Sequence, residues 1–273
     1  MKKILSFTLI AFTILSLFNC TTDNEVQPLP LVVYNGNLTL KTQAEVDAYG
    51  AQGYNVINGY LNIGDRLTDF STPEPSDITD LSPLRSIIQV TKQVEIQSNP
   101  MLTSLAGLEN LQAVSGLIVN DNENLTSLNG LEGLRTITGN SIGIGQVIIN
   151  GGVISLFKNP SLASIEALGN INPQSIRQIS INNSSLTSLA GLENIVHISN
   201  LNVINNDALT SLNALEGLTT LDTSVFIRGN DNLTNYCILQ SALQNNTTLL
   251  GFNVLENQFN PTQQHIIDGN CSQ

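Results

Sequence analysis

"LTSLAGLENL" at residues 102–111 returns as "LTSLNGLEGL" at 125–134, "LTSLAGLENI" at 186–195 and "LTSLNALEGL" at 209–218. With the first Leu or Ile of each unit as its marker, weaker copies extend the series to Ile78, Leu102, Leu125, Leu162, Leu186, Leu209 and Leu233. The steps are 24, 23, 37, 24, 23 and 24 residues. A period in the twenties sustained over this length means stacked coils, none of which can bury its apolar side alone.

Two rhythms run inside each unit. Before the marker, apolar residues alternate: Val94 and Ile96, Leu117 and Val119, Ile154 and Leu156, Leu201 and Val203, Val225 and Ile227. That is the period of a short strand. After it they recur every third residue, as in Leu102, Leu105, Leu108, Leu111 and Val114, or Leu125, Leu128, Leu131, Leu134 and Ile137. Neither helix nor strand repeats every three, so this is a return path of short bends, extended or 3₁₀ in character, with leucines as its core. The fold expected is mainly β: a right-handed parallel β-solenoid with coils of about 23–24 residues and short helical caps.

Three residues before the markers from 102 onward stand Asn99, Asn122, Asn159, Asn183, Asn206 and Asn230, and Asn257 holds the same place after the last strand. A chain leaving a strand must satisfy buried backbone groups, and an amide donates and accepts at once. The row reads as a structural ladder, ahead of a ligand row.

The pattern "V-x-I-x-x-N-P-x-L-T-S-L-x-G-L-E-x-L" resembles the receptor L domain, the single-stranded β-helical module with leucine-rich-like coils found in insulin and growth-factor receptors. It is closer still to lipid-anchored bacterial surface proteins built from such coils. The likeness covers about residues 31 to 271. The receptors' cysteine-rich modules and kinase have no counterpart here, so hormone binding and signalling do not carry over.

The two ends read as caps. "TQAE", Thr42 to Glu45, has capping-box spacing and leads a short helix toward Gly50, before "YNVINGYLNIG" (54–64) supplies the first coil's strand. At the other end "NYCILQSALQNN" reads as a helix and "FNVLEN" as the last strand; "NPTQQHIIDG" reads as a helix with Asn260 as N-cap and Pro261 at N1. Two insertions break the period. "GDRLTDFSTPEPSD" (64–77) is polar, and "TGNSIGIGQVIINGGV" (138–153) suggests a glycine-flanked hairpin, folded back on the coils or meeting a partner.

Residues 1–19 carry Lys2 and Lys3 before an apolar run of about fifteen, shorter than a membrane span needs, and end at Cys20. They read as a lipoprotein signal peptide. Cys20 is then the acylated first residue, attaching the chain to the outer membrane of a Gram-negative bacterium, facing outward, through a tether at 20–30. Cys237 and Cys271 remain as an even pair in an exported chain and read as a disulfide, ahead of a metal pair or a nucleophile. The rest divides into an N-terminal cap and first coil (31–77), the repeat solenoid (78–234) and a disulfide-stapled C-terminal cap (235–273).

Loss of Lys2 and Lys3, with no acid lost, moves the formal charge from −12 to −14. Nucleic acid and anionic headgroups are therefore poor partners for the body; the membrane is reached through acyl chains. There are two histidines, 68 residues apart, and no HExxH, G-x-S-x-G, P-loop or paired CxxC. The acidic turns "NDNEN" (120–124) and "GNDN" (229–232) lack calcium-repeat spacing and read as solvated turns. No catalytic residue, metal or cofactor is expected. The nearest enzymatic alternative, a β-helical polysaccharide-acting enzyme, requires an acid cluster that the outward residues Glu95 and Arg228 do not make.

Between the inward strand pairs, one outward column holds Glu95, Ile118, Ser155, Asn202 and Phe226. A second holds Gln97, Asn120, Phe157, Asn182, Ile204 and Arg228. Ile118, Phe157, Ile204, Phe226 and Leu255 are apolar where a passive spacer requires polar residues, and with Arg228 they form the candidate binding face. With aromatics at 5% and no tryptophan, a protein or peptide ranks ahead of a glycan as partner. The function expected is a cell-surface binding or adhesion module, with a passive structural or spacer protein as the alternative.

Overall fold

The computed structural model describes residues 30–65, 75–139, 151–246 and 249–273, with the backbone of 142–144 and 147–149. The expected signal peptide, Cys20 and the expected tether up to residue 29 lie outside the described residues. Leu31–Gln273 forms one compact unit.

The three-residue rhythm has a direct physical cause. Leu108 N donates to Leu105 O and Leu111 N to Leu108 O, and the same bonds link Leu128, Leu131 and Leu134, then Leu189, Leu192 and Ile195. Each bend closes a 3₁₀-type bond and returns one side chain in three to the interior. Leu102, Leu105, Leu108, Leu111, Leu125, Leu128, Leu131 and Leu134 are all 0% exposed.

The Gly and Glu of the repeated motif belong to the same turn. Gly107, Gly130 and Gly191 take φ of 114°, 111° and 112°. A Cβ on Gly130 falls 2.1 Å from the Leu105 carbonyl oxygen of the preceding coil. The following Glu folds back to accept the glycine N–H, at 2.9 Å for Gly107 to Glu109 and for Gly130 to Glu132. Where alanine replaces this glycine, at Ala167 and Ala214, the turn becomes a short 3₁₀ helix, Glu166–Asn170 or Asn213–Leu215.

Strands on either side of each corner build two parallel sheets. β1 (Val33–Asn35), β3 (Val56–Asn58), β5 (Gln89–Val90), β7 (Ala113–Val114) and β9 (Thr136–Ile137) form a five-stranded sheet in that order. The larger sheet has nine strands. They are β2 (Leu38–Leu40), β4 (Leu61–Gly64), β6 (Gln93–Gln97), β8 (Gly116–Asn120), β12 (Gly152–Asn159), β13 (Gln174–Ser184), β14 (Ile195–Ile204), β15 (Thr220–Arg228) and β16 (Gly251–Leu255). In β13, β14 and β15 the corner is absorbed into one long strand, with a register shift at Gln174/Ser175 and another at Ile198/Asn200. In the long insertion, β10 (Ile142–Ile144) and β11 (Val147–Ile149) pair antiparallel as a hairpin.

Three readings need correction. The first coil begins with β1 and β2, before the helix α1 (Gln43–Gly50), so "YNVINGYLNIG" supplies the second coil and the sheet gains a strand. Short strands of three residues, with Leu31 and Val32 before β1 and Val33 within it all exposed, left this coil without a clear apolar rhythm. Thr42 does cap α1, in a reciprocal capping box with Glu45. The final helix α3 (Gln263–Ile267) is capped by Thr262, whose hydroxyl accepts His265 N at 3.1 Å, and not by Asn260.

The third correction concerns the ladder. Asn99, Asn122, Asn159, Asn206 and Asn230 are 0% exposed, whereas Asn183 sits at φ 56° in the left-handed position that precedes the ladder. Ser184 takes the ladder position, in register with Asn159. The turn from Ser184 to Leu186 is one residue shorter than that from Asn206 to Leu209, so counting back three from the marker lands one residue early. The short hydroxyl then needs a long acceptor: Ser184 Oγ donates to Asn206 Oδ1 at 2.6 Å. Asn260 closes the far end, accepting Asn257 N at 2.9 Å, and Ser76 Oγ meets Asn99 Oδ1 at 2.6 Å at the near end.

The C-terminal cap runs from a 3₁₀ turn, Cys237–Leu239, into α2 (Gln240–Asn245). Cys237 and Cys271 are joined in a disulfide, with Cα atoms 4.8 Å apart. Tyr236 N also donates to Cys271 O at 2.8 Å, so the last residues are tied down by backbone as well as by sulfur.

Candidate binding face

Strand register sets the outward rows. One runs Asn62, Glu95, Ile118, Ser155, Ser180, Asn202, Phe226 and Asn253 across β4 to β16. The next runs Gln97, Asn120, Phe157, Asn182, Ile204, Arg228 and Leu255. Parallel pairing in register stacks equivalent residues at about 4.8 Å intervals, so nine strands give a face about 38 Å long.

The N-terminal third of this face is not open. Glu95 is 2% exposed, Gln97 6% and Asn62 5%, and Gln97 Nε2 donates to Glu95 Oε2 at 2.9 Å. Glu95 and Gln97 thus form a buried polar pair, and Asn62 Nδ2 beside them donates to Gly64 O at 3.3 Å, where the 64–77 insertion leaves β4. Alternation alone assigns them outward; it carries no information on what packs over them.

The apolar residues fall into two groups. Ile118 and Phe157 are diagonal neighbours on β8 and β12, both half-buried, with Lys158 Nζ 5.1 Å from the Phe157 ring centre. Ile204, Phe226 and Leu255 are diagonal neighbours on β14, β15 and β16, Phe226 being 40% exposed. Between the groups β13 contributes only Ser180 and Asn182. Arg228 sits inside the second group but is engaged: its Nε and Nη2 donate to the two oxygens of Glu256 at 2.7 and 2.9 Å. This fork holds the Glu256 carboxyl below its ordinary range and raises the guanidinium in turn. Sequence reasoning missed Glu256 because it lies after the strand, at φ 58° in the left-handed turn position.

Catalytic geometry is not assembled on this face. His197 Nε2 meets Asp222 Oδ2 as an exposed cross-coil pair, and His265 serves the α3 cap through Nδ1. Among the described residues no group of three His, Cys, Asp or Glu side chains converges as a metal site, and no helix is long and apolar enough to cross a membrane. A groove of about 480 Å³ follows the turns leaving the sheet, where Ser98, Asp121, Lys158 and Asn183 share the left-handed position. Lys158 and Asp121 pair across it at 3.6 Å.

Residues 33–168 match the family model of the receptor L domain. This region is receptor L-domain-like. A receptor L domain is a ligand-binding module, and the family is one of binding and not of catalysis. Comparison with curated proteins and with solved structures gave no match. The L-domain match ends at Leu168, inside a 3₁₀ turn, while the same coils continue through β13 to β16. Ile118 and Phe157 therefore lie within the matched region, and Ile204, Phe226, Arg228 and Leu255 beyond it.

Proposed function

We propose that the chain is a non-catalytic cell-surface lipoprotein, a right-handed solenoid that binds or adheres to a protein partner through the outward face of its nine-stranded sheet. The observation that carries this reading is the cluster of Ile204, Phe226 and Leu255 around the Arg228–Glu256 fork, set off from Ile118 and Phe157 by the polar Ser180 and Asn182 of β13. Apolar anchors beside a charged fork are the composition of a protein-binding centre, and a passive spacer has no use for a 40% exposed Phe226. The L-domain match supports a ligand-binding role and protein ligands. The lipid anchor rests on residues 1–20 alone.

The test is capture of envelope and neighbouring-cell proteins by the wild-type chain and by Phe157→Asp and Phe226→Asp. Both variants should keep the melting temperature within a few degrees and lose the captured partner; capture surviving in both would sink the reading. Anchoring is tested separately. Wild-type protein should label with fatty acid and partition into detergent, and Cys20→Ser should be soluble and unlabelled.

A further inference from the structure

β16 is the C-terminal edge of the large sheet. Gly229 N donates to Leu255 O, so the backbone groups of Leu255, and by alternation those of Asn253 and Gly251, face β15. The N–H and C=O of Phe252 and Val254 face the other way, and no group among the described residues bonds them. Their side chains lie in register with buried Val225 and Ile227 and cover the end of the core, yet both stay half-buried. Leu250, just before the strand, is 87% exposed.

Natural edges are blunted by charge, proline or brevity. Gly251–Leu255 contains no charge and no proline, and at five residues it is longer than β2 at the opposite edge. Alongside it a cleft of about 460 Å³ separates residues 252–255 from residues 260–263, and none of these carries a charge. The edge selects the occupant: its backbone groups that face away from β15 call for another strand, and an uncharged edge and wall call for one that carries no charge.

We propose that this cleft captures an extended, uncharged peptide segment of a partner as a tenth strand. Its backbone bonds the free N–H and C=O groups of Phe252 and Val254, and alternate apolar side chains cover those two residues. The cleft shares Asn253 and Leu255 with the outward face but does not include Phe157 or Phe226, so it stands whether or not those two bind anything.

The probe is a fluorescein-labelled heptapeptide of alternating threonine and valine, titrated into the full chain by anisotropy. Beside it run two versions N-methylated on alternate amides, one in each frame. Saturable binding is expected, weakened about tenfold or more by methylation in one frame and unaffected in the other, because only one set of amides faces β16. Val254→Pro removes an edge N–H without touching the β15 pairing and should abolish binding, while Phe157→Asp should bind as wild type. No binding, equal binding by both methylated frames, or full binding by a folded Val254→Pro overturns the proposal. So does a dimer in sedimentation that Val254→Pro dissolves, since the occupant is then a second copy. If Val254→Pro does not fold, the two methylated frames decide.

Discussion

Asn206 shows how much one fully buried amide carries. Its Oδ1 accepts both Ser184 N and Ser184 Oγ, and its Nδ2 donates to Ile181 O at 2.9 Å and Ile204 O at 3.1 Å. Removing that side chain strands several buried backbone groups, each costing about 1–3 kcal/mol when left unmade. Asn206→Gly should therefore lower stability by about 3 to 5 kcal/mol in urea unfolding. Asn183 is its control. It bears the left-handed φ and makes no ladder bond, and glycine adopts that φ freely, so Asn183→Gly should stay within about 0.5 kcal/mol. Equal losses in the two variants would mean that both asparagines carry the ladder.

The capping elements solve a different problem, because a terminal coil has a neighbour on one side only. At the C-terminus α2 packs beside α3, and the disulfide closes a loop with a sequence separation of 34. In the chain-entropy picture such a closure is worth about 4 kcal/mol. Reduction should lower the melting temperature, with hydrogen exchange rising first in α2, β16 and α3; an unchanged melting curve after verified reduction would show the staple to be redundant with the Tyr236–Cys271 backbone bond. Loss confined to this end is expected because the bonded segments contact only the last coils.

Across the whole molecule, coils touch only their neighbours, so damage should stay local. Leu128 is 0% exposed, and the Leu128 N–H reaches across to Ser164 O in the following coil. Leu128→Ala should cost about 2 to 5 kcal/mol. Exchange should accelerate over residues 102–137 and 152–171 while β15 keeps its protection. Uniform acceleration along the sheet would instead mean that the stack opens as one unit. The acidic charge of the chain adds long-range self-repulsion to this picture, which neighbour-only packing does not remove.

The coil was legible in the residues because its rule is local. Leu105, Leu108 and Leu111 recur every three since Leu108 and Leu111 each close a bond to the leucine before, and Val94 and Ile96 alternate since a strand has two faces. Neither rule needs a distant partner. Gly130 has one local reason, its positive φ, and one that is not local, the Leu105 carbonyl of the preceding coil. What pattern could not supply is whatever depends on the layer above. Glu95 and Ile118 hold the same outward position on adjacent strands, yet one is buried in a polar pair and the other half-open, because burial is set by what lies over the strand and not by its period. Asn183 lost its place in the ladder to Ser184 because register follows hydrogen bonds to the next coil, and a one-residue deletion in a turn shifts the count while leaving the bonds where they were.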